Sequence, residues 1–239
     1  MNKGILFGLL LLVSCSPLLA QKKVDNPKPK CTLGLDQSPE LRGFRLGMTQ
    51  AAALAKLPGV TVEKPDKFGL ARLRLSIIDA SALIKSSPRD KGVQTDMTAT
   101  STDGSAFVLD IAKFPALRGT RKIQMRFIEG RLSYLSVSYT DEVKWDSIDQ
   151  FVGTISTTLK LPPQQWQVPE ESDTMQQQEL RCAGFVLTAN TSADPADIHA
   201  GPELVLQDVA AWNAMSKRQN DITEKAKREE DEKRKSFKP

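Results

Sequence analysis

Histidine is almost missing from these 239 residues; the single one is His199. A Ser-His-Asp or Cys-His pair would have to be built on it. His199 sits in a loop rich in Pro and Asp, where a solvated side chain is the ordinary reading. The sequence also has no H-E-x-x-H, C-x-x-C, G-x-S-x-G or S-x-x-K, so zinc hydrolysis, dithiol redox chemistry and the familiar serine nucleophiles have no starting point. Asp194 and Asp197 lie near His199, but their spacing fits no calcium loop. The acid pairs Asp141-Glu142 and Glu170-Glu171 fall in loops, where solvated surface is the default and a glycosidase-like pair stays open. No catalytic, cofactor-binding or metal-binding residue is therefore assigned, no cofactor is expected, and a catalyst is not the leading expectation.

Long apolar runs are as scarce. The one at Ile5 to Val13 falls short of the roughly 18 residues of a membrane span. With Lys3 before it and Leu18-Leu19-Ala20 after it, residues 1–20 read as a secretory signal, to be left out of the fold. Two cuts stay open. One follows Ala20; the other precedes Cys15, because Leu12-Val13-Ser14-Cys15 fits the pattern of an acylated lipoprotein. The second position is Asn, which excludes N-myristoylation. Residues 21–30, QKKVDNPKPK, hold little to bury and read as a disordered spacer.

Cysteine is limited to three residues. Beyond the leader only Cys31 and Cys182 remain, a candidate disulfide in an oxidising compartment or else two buried thiols. Basic charge is also thin. The formal net charge is +4, and the segment from Lys217 to Pro239, with nine bases against six acids, supplies three of those charges. The remainder is close to neutral and presents no face for nucleic acid.

What is present reads as an α+β chain. Thr49 is an N-cap before Gln50 to Lys56, a short helix stopped by Pro58-Gly59. Val60 to Val62, Ala71 to Ile78 and Phe107 to Ile111 read as strands. Arg121 to Ile128 and Arg131 to Tyr139 form a hairpin across Glu129-Gly130, with a bulge after the glycine to reconcile the two faces of its second strand. Ser147 to Gln150 is a capping box, and Ile148, Phe151, Val152, Ile155 and Leu159 then share one helical face. Trp145 and Trp166 flank that helix, as core residues or, as the alternative, lining a binding groove. Glu179 to Ala189 and Glu203 to Gln207 give the last strands. The polar stretch Ser86 to Ser105 reads as a loop, with recognition as its functional alternative.

Residues 31–215 thus form the folded region, short helices on an antiparallel sheet. It divides into candidate helix-then-strands halves at 44–139 and 145–207, though no residue-level repeat accompanies them. Residues 216–239 read as a charged helix, with Asp221, Glu224, Glu229, Glu230 and Asp231 each placed four residues before a base.

The Gly47-Met48-Thr49 turn opening a short helix, in an exported chain with antiparallel strands after it, resembles the small outer-membrane lipoproteins of the SmpA/OmlA type. It also resembles the β-lactamase inhibitory protein. The resemblance implies a helix packed on an antiparallel sheet, and binding of other proteins without catalysis. The expectation is an exported envelope protein, periplasmic, secreted or lipid-anchored, that binds another protein of unknown identity. A small-ligand or lipid-binding module and an enzyme of unrecognised type are the alternatives.

Overall fold

The computed structural model describes residues 30–79, 106–140, 145–169, 175–192 and 201–236. The signal with Cys15, all but the last residue of the spacer, the Ser86 to Ser105 stretch, the acid pairs 141–142 and 170–171, Asp194, Asp197 and His199 lie outside them.

The chain runs through α1 (Gln50–Leu54), β1 (Leu70–Ile78), β2 (Ala106–Asp110), β3 (Thr120–Ile128), β4 (Arg131–Tyr139) and α2 (Ile148–Leu159). It continues through β5 (Met175–Arg181), β6 (Val186–Ser192), β7 (Glu203–Gln207) and α3 (Val209–Ser236). The fold is α+β: a seven-stranded sheet in the order β2-β1-β3-β4-β7-β6-β5 with helices packed on it. It is mixed rather than wholly antiparallel, because β1 and β2 pair in parallel. Parallel neighbours need a long crossover, and the stretch between these two strands is long enough to supply one.

Val60 to Val62 is not a strand. The Val60 amide donates to the Leu57 carbonyl at 3.0 Å, so this residue closes the turn after α1 and its buried side chain anchors that turn in the core. Helix α1 stops at Leu54, after which Lys56 and Leu57 form tighter three-residue turns. Glu179 to Ala189 is split by a turn at Cys182 to Phe185, with β5 beginning earlier, at Met175. The β3–β4 bulge lies at Ser133, the residue left over between the pairs Phe127 with Leu132 and Arg126 with Tyr134. It moves Leu132 onto the same face as Leu135 and Val137.

Setting β2 aside, each half runs a helix and then three strands ordered from the sheet's edge to its centre. The third strands, β4 and β7, meet antiparallel at the centre. The strand directions are those of a two-fold axis through the sheet between β4 and β7. One hydrophobic cluster joins both halves, from Phe44, Ala53 and Leu73 through Met125 and Leu135 to Leu206, Leu187 and Phe185. Helices α1 and α2 close this face.

The opposite face carries the alternate residues. Among the described residues only the start of α3 packs on it, where Met215, with Trp212 and Ala211, covers Leu70 and Ile128. Arg218 pairs with Glu129, which shares the positive φ of the hairpin turn with Gly130. The charged helix therefore begins at Val209, inside the region assigned to the body, and every residue from 219 to 236 is exposed. Those 18 residues project about 27 Å at 1.5 Å per residue. Of the pairs read from sequence, Glu224–Arg228 and Glu230–Arg234 close at 3.2 and 2.6 Å. Truncation after Arg218 should leave the melting temperature within about 2 °C of the intact chain while reducing the hydrodynamic radius. Scanning calorimetry and light scattering check both outcomes, and a larger fall in stability would mean that the projecting helix packs on the body.

Candidate functional site

The Gly47-Met48-Thr49 turn is occupied by the fold itself. Gly47 N–H donates to the Leu132 carbonyl at 2.8 Å, Leu132 N–H to the Met48 carbonyl at 2.8 Å, and Gln50 N–H to the Gly130 carbonyl at 2.8 Å. Arg131 Nη1 reaches the Gly47 carbonyl at 3.1 Å, and the Thr49 hydroxyl accepts from Ala52 N–H at 3.2 Å. These groups pin α1 to the β3–β4 hairpin. The turn is scaffold.

The sheet face away from the main core has a different character. Register places three residue rows across six strands. The first runs Arg72, Arg126, Tyr134, Gln207, Val186, Arg181; the second Arg74, Gln124, Ser136, Val205, Thr188, Glu179; the third Ser76, Lys122, Ser138, Glu203, Asn190, Gln177. Cations dominate the β1–β3 side. At the centre, Glu203 Oε1 accepts from Ser136 Oγ at 2.5 Å and Ser138 Oγ at 3.4 Å, and Oε2 from Asn190 Nδ2 at 3.4 Å. All three donors are neutral, and no cation lies against Glu203 among the described residues. Among the described residues Asn190 Oδ1 is buried and finds no donor, so its desolvation is uncompensated there.

At the margin of this face three side chains stack. The Arg126 guanidinium lies 4.5 Å from the Tyr134 ring centroid and 5.4 Å from that of Trp212, joining α3 to the sheet by cation–π contacts. All three remain half-buried. Burial raises the Tyr134 pKa, Arg126 opposes the rise and Glu203 adds to it, so the hydroxyl stays protonated at neutral pH.

Tyr134 and Tyr139 do not share a surface. The structure puts them on opposite faces, both half-buried. Cys31 and Cys182 are joined in a disulfide. Trp166 is buried and donates from Nε1 to Ser156 Oγ at 2.9 Å, while Trp145 lies against Phe151 at a 5.2 Å centroid separation. Among the described residues no group of acids, His and Cys could hold a metal, and no helix is long and apolar enough to cross a membrane. The Arg126 stack escaped sequence reading because its members come from three segments. Alternation along β3 was the available signal, and only the bulge decides that Tyr134 falls beside Arg126.

No family model, curated protein or solved structure matches the chain.

Proposed function

We propose that this chain is an exported, non-catalytic envelope protein that binds another protein through the polar face of its sheet. The observation that carries this reading is the Trp212–Arg126–Tyr134 stack at the margin of that face. Tyr, Trp and Arg are the residues that most often dominate interface energies, and half-buried they present area at little entropic cost. The orphaned Asn190 acceptor and the Glu203 carboxylate supply polar complementarity beside them. The leader at residues 1–20 and the Cys31–Cys182 disulfide support an oxidising compartment outside the cytoplasm.

A pull-down from detergent-solubilised envelopes tests the reading, with intact mass distinguishing a bait that begins at Gln21 from one acylated at Cys15. Wild-type bait should retain a protein that Arg126→Ala releases, by about tenfold or more for a residue of this kind. Thr154→Ala, an exposed change on the far side of the sheet, should retain it. Equal recovery with all three baits would sink the assignment of the contact face.

A further inference from the structure

On the core side of the sheet, α2 leaves a cavity of about 420 Å³ against the ends of β4 and β7. That size lies within the roughly 300–1,000 Å³ of small-molecule sites. Leu41, Trp145, Phe151, Ile155, Leu159 and Leu204 give it apolar walls. Phe151, Ile155 and Leu159 recur at four-residue spacing and form one continuous stripe of α2.

Polar groups gather at one end. Arg42 places its guanidinium 5.1 Å from the Tyr139 ring centroid. A Cβ at Gly119 would stand 3.4 Å from Arg42 Nη2, so the guanidinium lies along bare backbone there. A guanidinium has five N–H donors, and among the described residues no carboxylate pairs with it. Glu40, also on the rim, is exposed and makes no ion pair with Arg42 among those residues. Burial raises the Tyr139 pKa against the opposing pull of Arg42, which keeps its hydroxyl a proton donor.

The backbone beneath Arg42 is unusual. Arg42 and Gly43 have φ values of 53° and 87°, in a two-residue turn closed by Leu41 N–H to Phe44 O at 2.9 Å and Phe44 N–H to Leu41 O at 3.0 Å. Asn, Asp or Gly suits the first position of such a turn far better than Arg. A residue held where another would fit more easily is a pointer to function when it also lines a cavity.

We propose that this cavity binds a small amphiphile with a carboxylate head and an apolar body. The planar guanidinium of Arg42 donates two parallel N–H···O bonds to the carboxylate, the Tyr139 hydroxyl adds a third donor, and the apolar body lies along the α2 stripe. A single cation with Glu40 nearby matches a monoanion better than a doubly charged phosphate. The site lies on the opposite side of the sheet from the protein-contact face and does not depend on it.

The test is calorimetric titration of the disulfide-intact protein with dodecanoate, dodecanol and dodecyltrimethylammonium, each below its aggregation limit. Dodecanoate should bind one to one and perturb tryptophan emission through Trp145, with dodecanol at least tenfold weaker and the cation not bound. Arg42→Asn should bring dodecanoate down to the level of dodecanol without lowering the melting temperature, because Asn suits the turn. Thr158→Trp, at an exposed α2 position on the cavity wall, should block both ligands. Binding of several dodecanoates per chain, no saturable binding, equal affinity for acid and alcohol, or an intact preference in Arg42→Asn would each overturn the proposal. Should Arg42→Asn fail to fold, the wild-type ratio and Thr158→Trp still decide.

Discussion

Reducing the Cys31–Cys182 disulfide should lower the melting temperature by roughly 10–20 °C. The bond closes a loop with a sequence separation of 151, for which the chain-entropy account gives roughly 5 kcal/mol. At this size each kcal/mol shifts the midpoint by about 2–4 °C. Local contacts reinforce the link, since Cys31 is buried and Gly184 N–H donates to the Leu33 carbonyl at 3.1 Å. Gly184 is itself part of the device. A Cβ there would come within 2.1 Å of the Leu35 nitrogen, so the segment after Cys31 can lie against the β5–β6 turn only because that position has no side chain. Calorimetry with and without a phosphine reductant checks the shift, and Gly184→Ala should destabilise even with the disulfide closed. An unchanged midpoint on verified reduction would mean that the N-terminal segment is held by packing alone.

Phe127→Ala should cost about 3–5 kcal/mol, the usual range for truncating a fully enclosed aromatic. Phe127 is 0% exposed, near the end of β3, paired with Leu132 at the bulge. Nothing can collapse into the space without moving the sheet. Phe151→Ala gives the contrast: Phe151 is also buried, but it borders the cavity beside α2, so part of its contact shell is already missing. Its truncation should fall at or below the low end of that range. Urea unfolding of both variants separates them. If Phe151→Ala proved the more damaging, the cavity would be better packed in solution than its geometry implies.

The elements that could be read in the sequence were those whose burial is repeated along the chain. β1 and β3 alternate with period two, and α2 carries its stripe between Ser147 and the left-handed residue Lys160. The bulge could be inferred because Leu132 and Leu135 cannot otherwise share a face. β5 was missed in its first half, since MQQQ offers no apolar alternation. Gln178 nevertheless points inward, where its Nε2 meets Asp149 Oδ1 of α2 at 2.5 Å, so a buried amide substitutes for a hydrophobe at a sheet edge. The candidate sites were less accessible still. Arg42, Tyr139 and α2 converge through tertiary packing, and the positive φ of Arg42 is invisible in a residue type that rarely adopts it. The glycines beside such residues, Gly43 and Gly130, were the only local hint that two left-handed positions follow one another.

The central pairing of β4 with β7 also fixes an order of events in time. Until Glu203–Gln207 is available, the first half ends in a strand with an open edge, the kind of template that pairs with the wrong neighbour. The Cys31–Cys182 bond ties the segment before the first half to the turn after β5, so its oxidation also waits for the second half. A chain made N-terminus first would remain vulnerable until β7 arrived. Its yield would then depend on how quickly the last third follows the first.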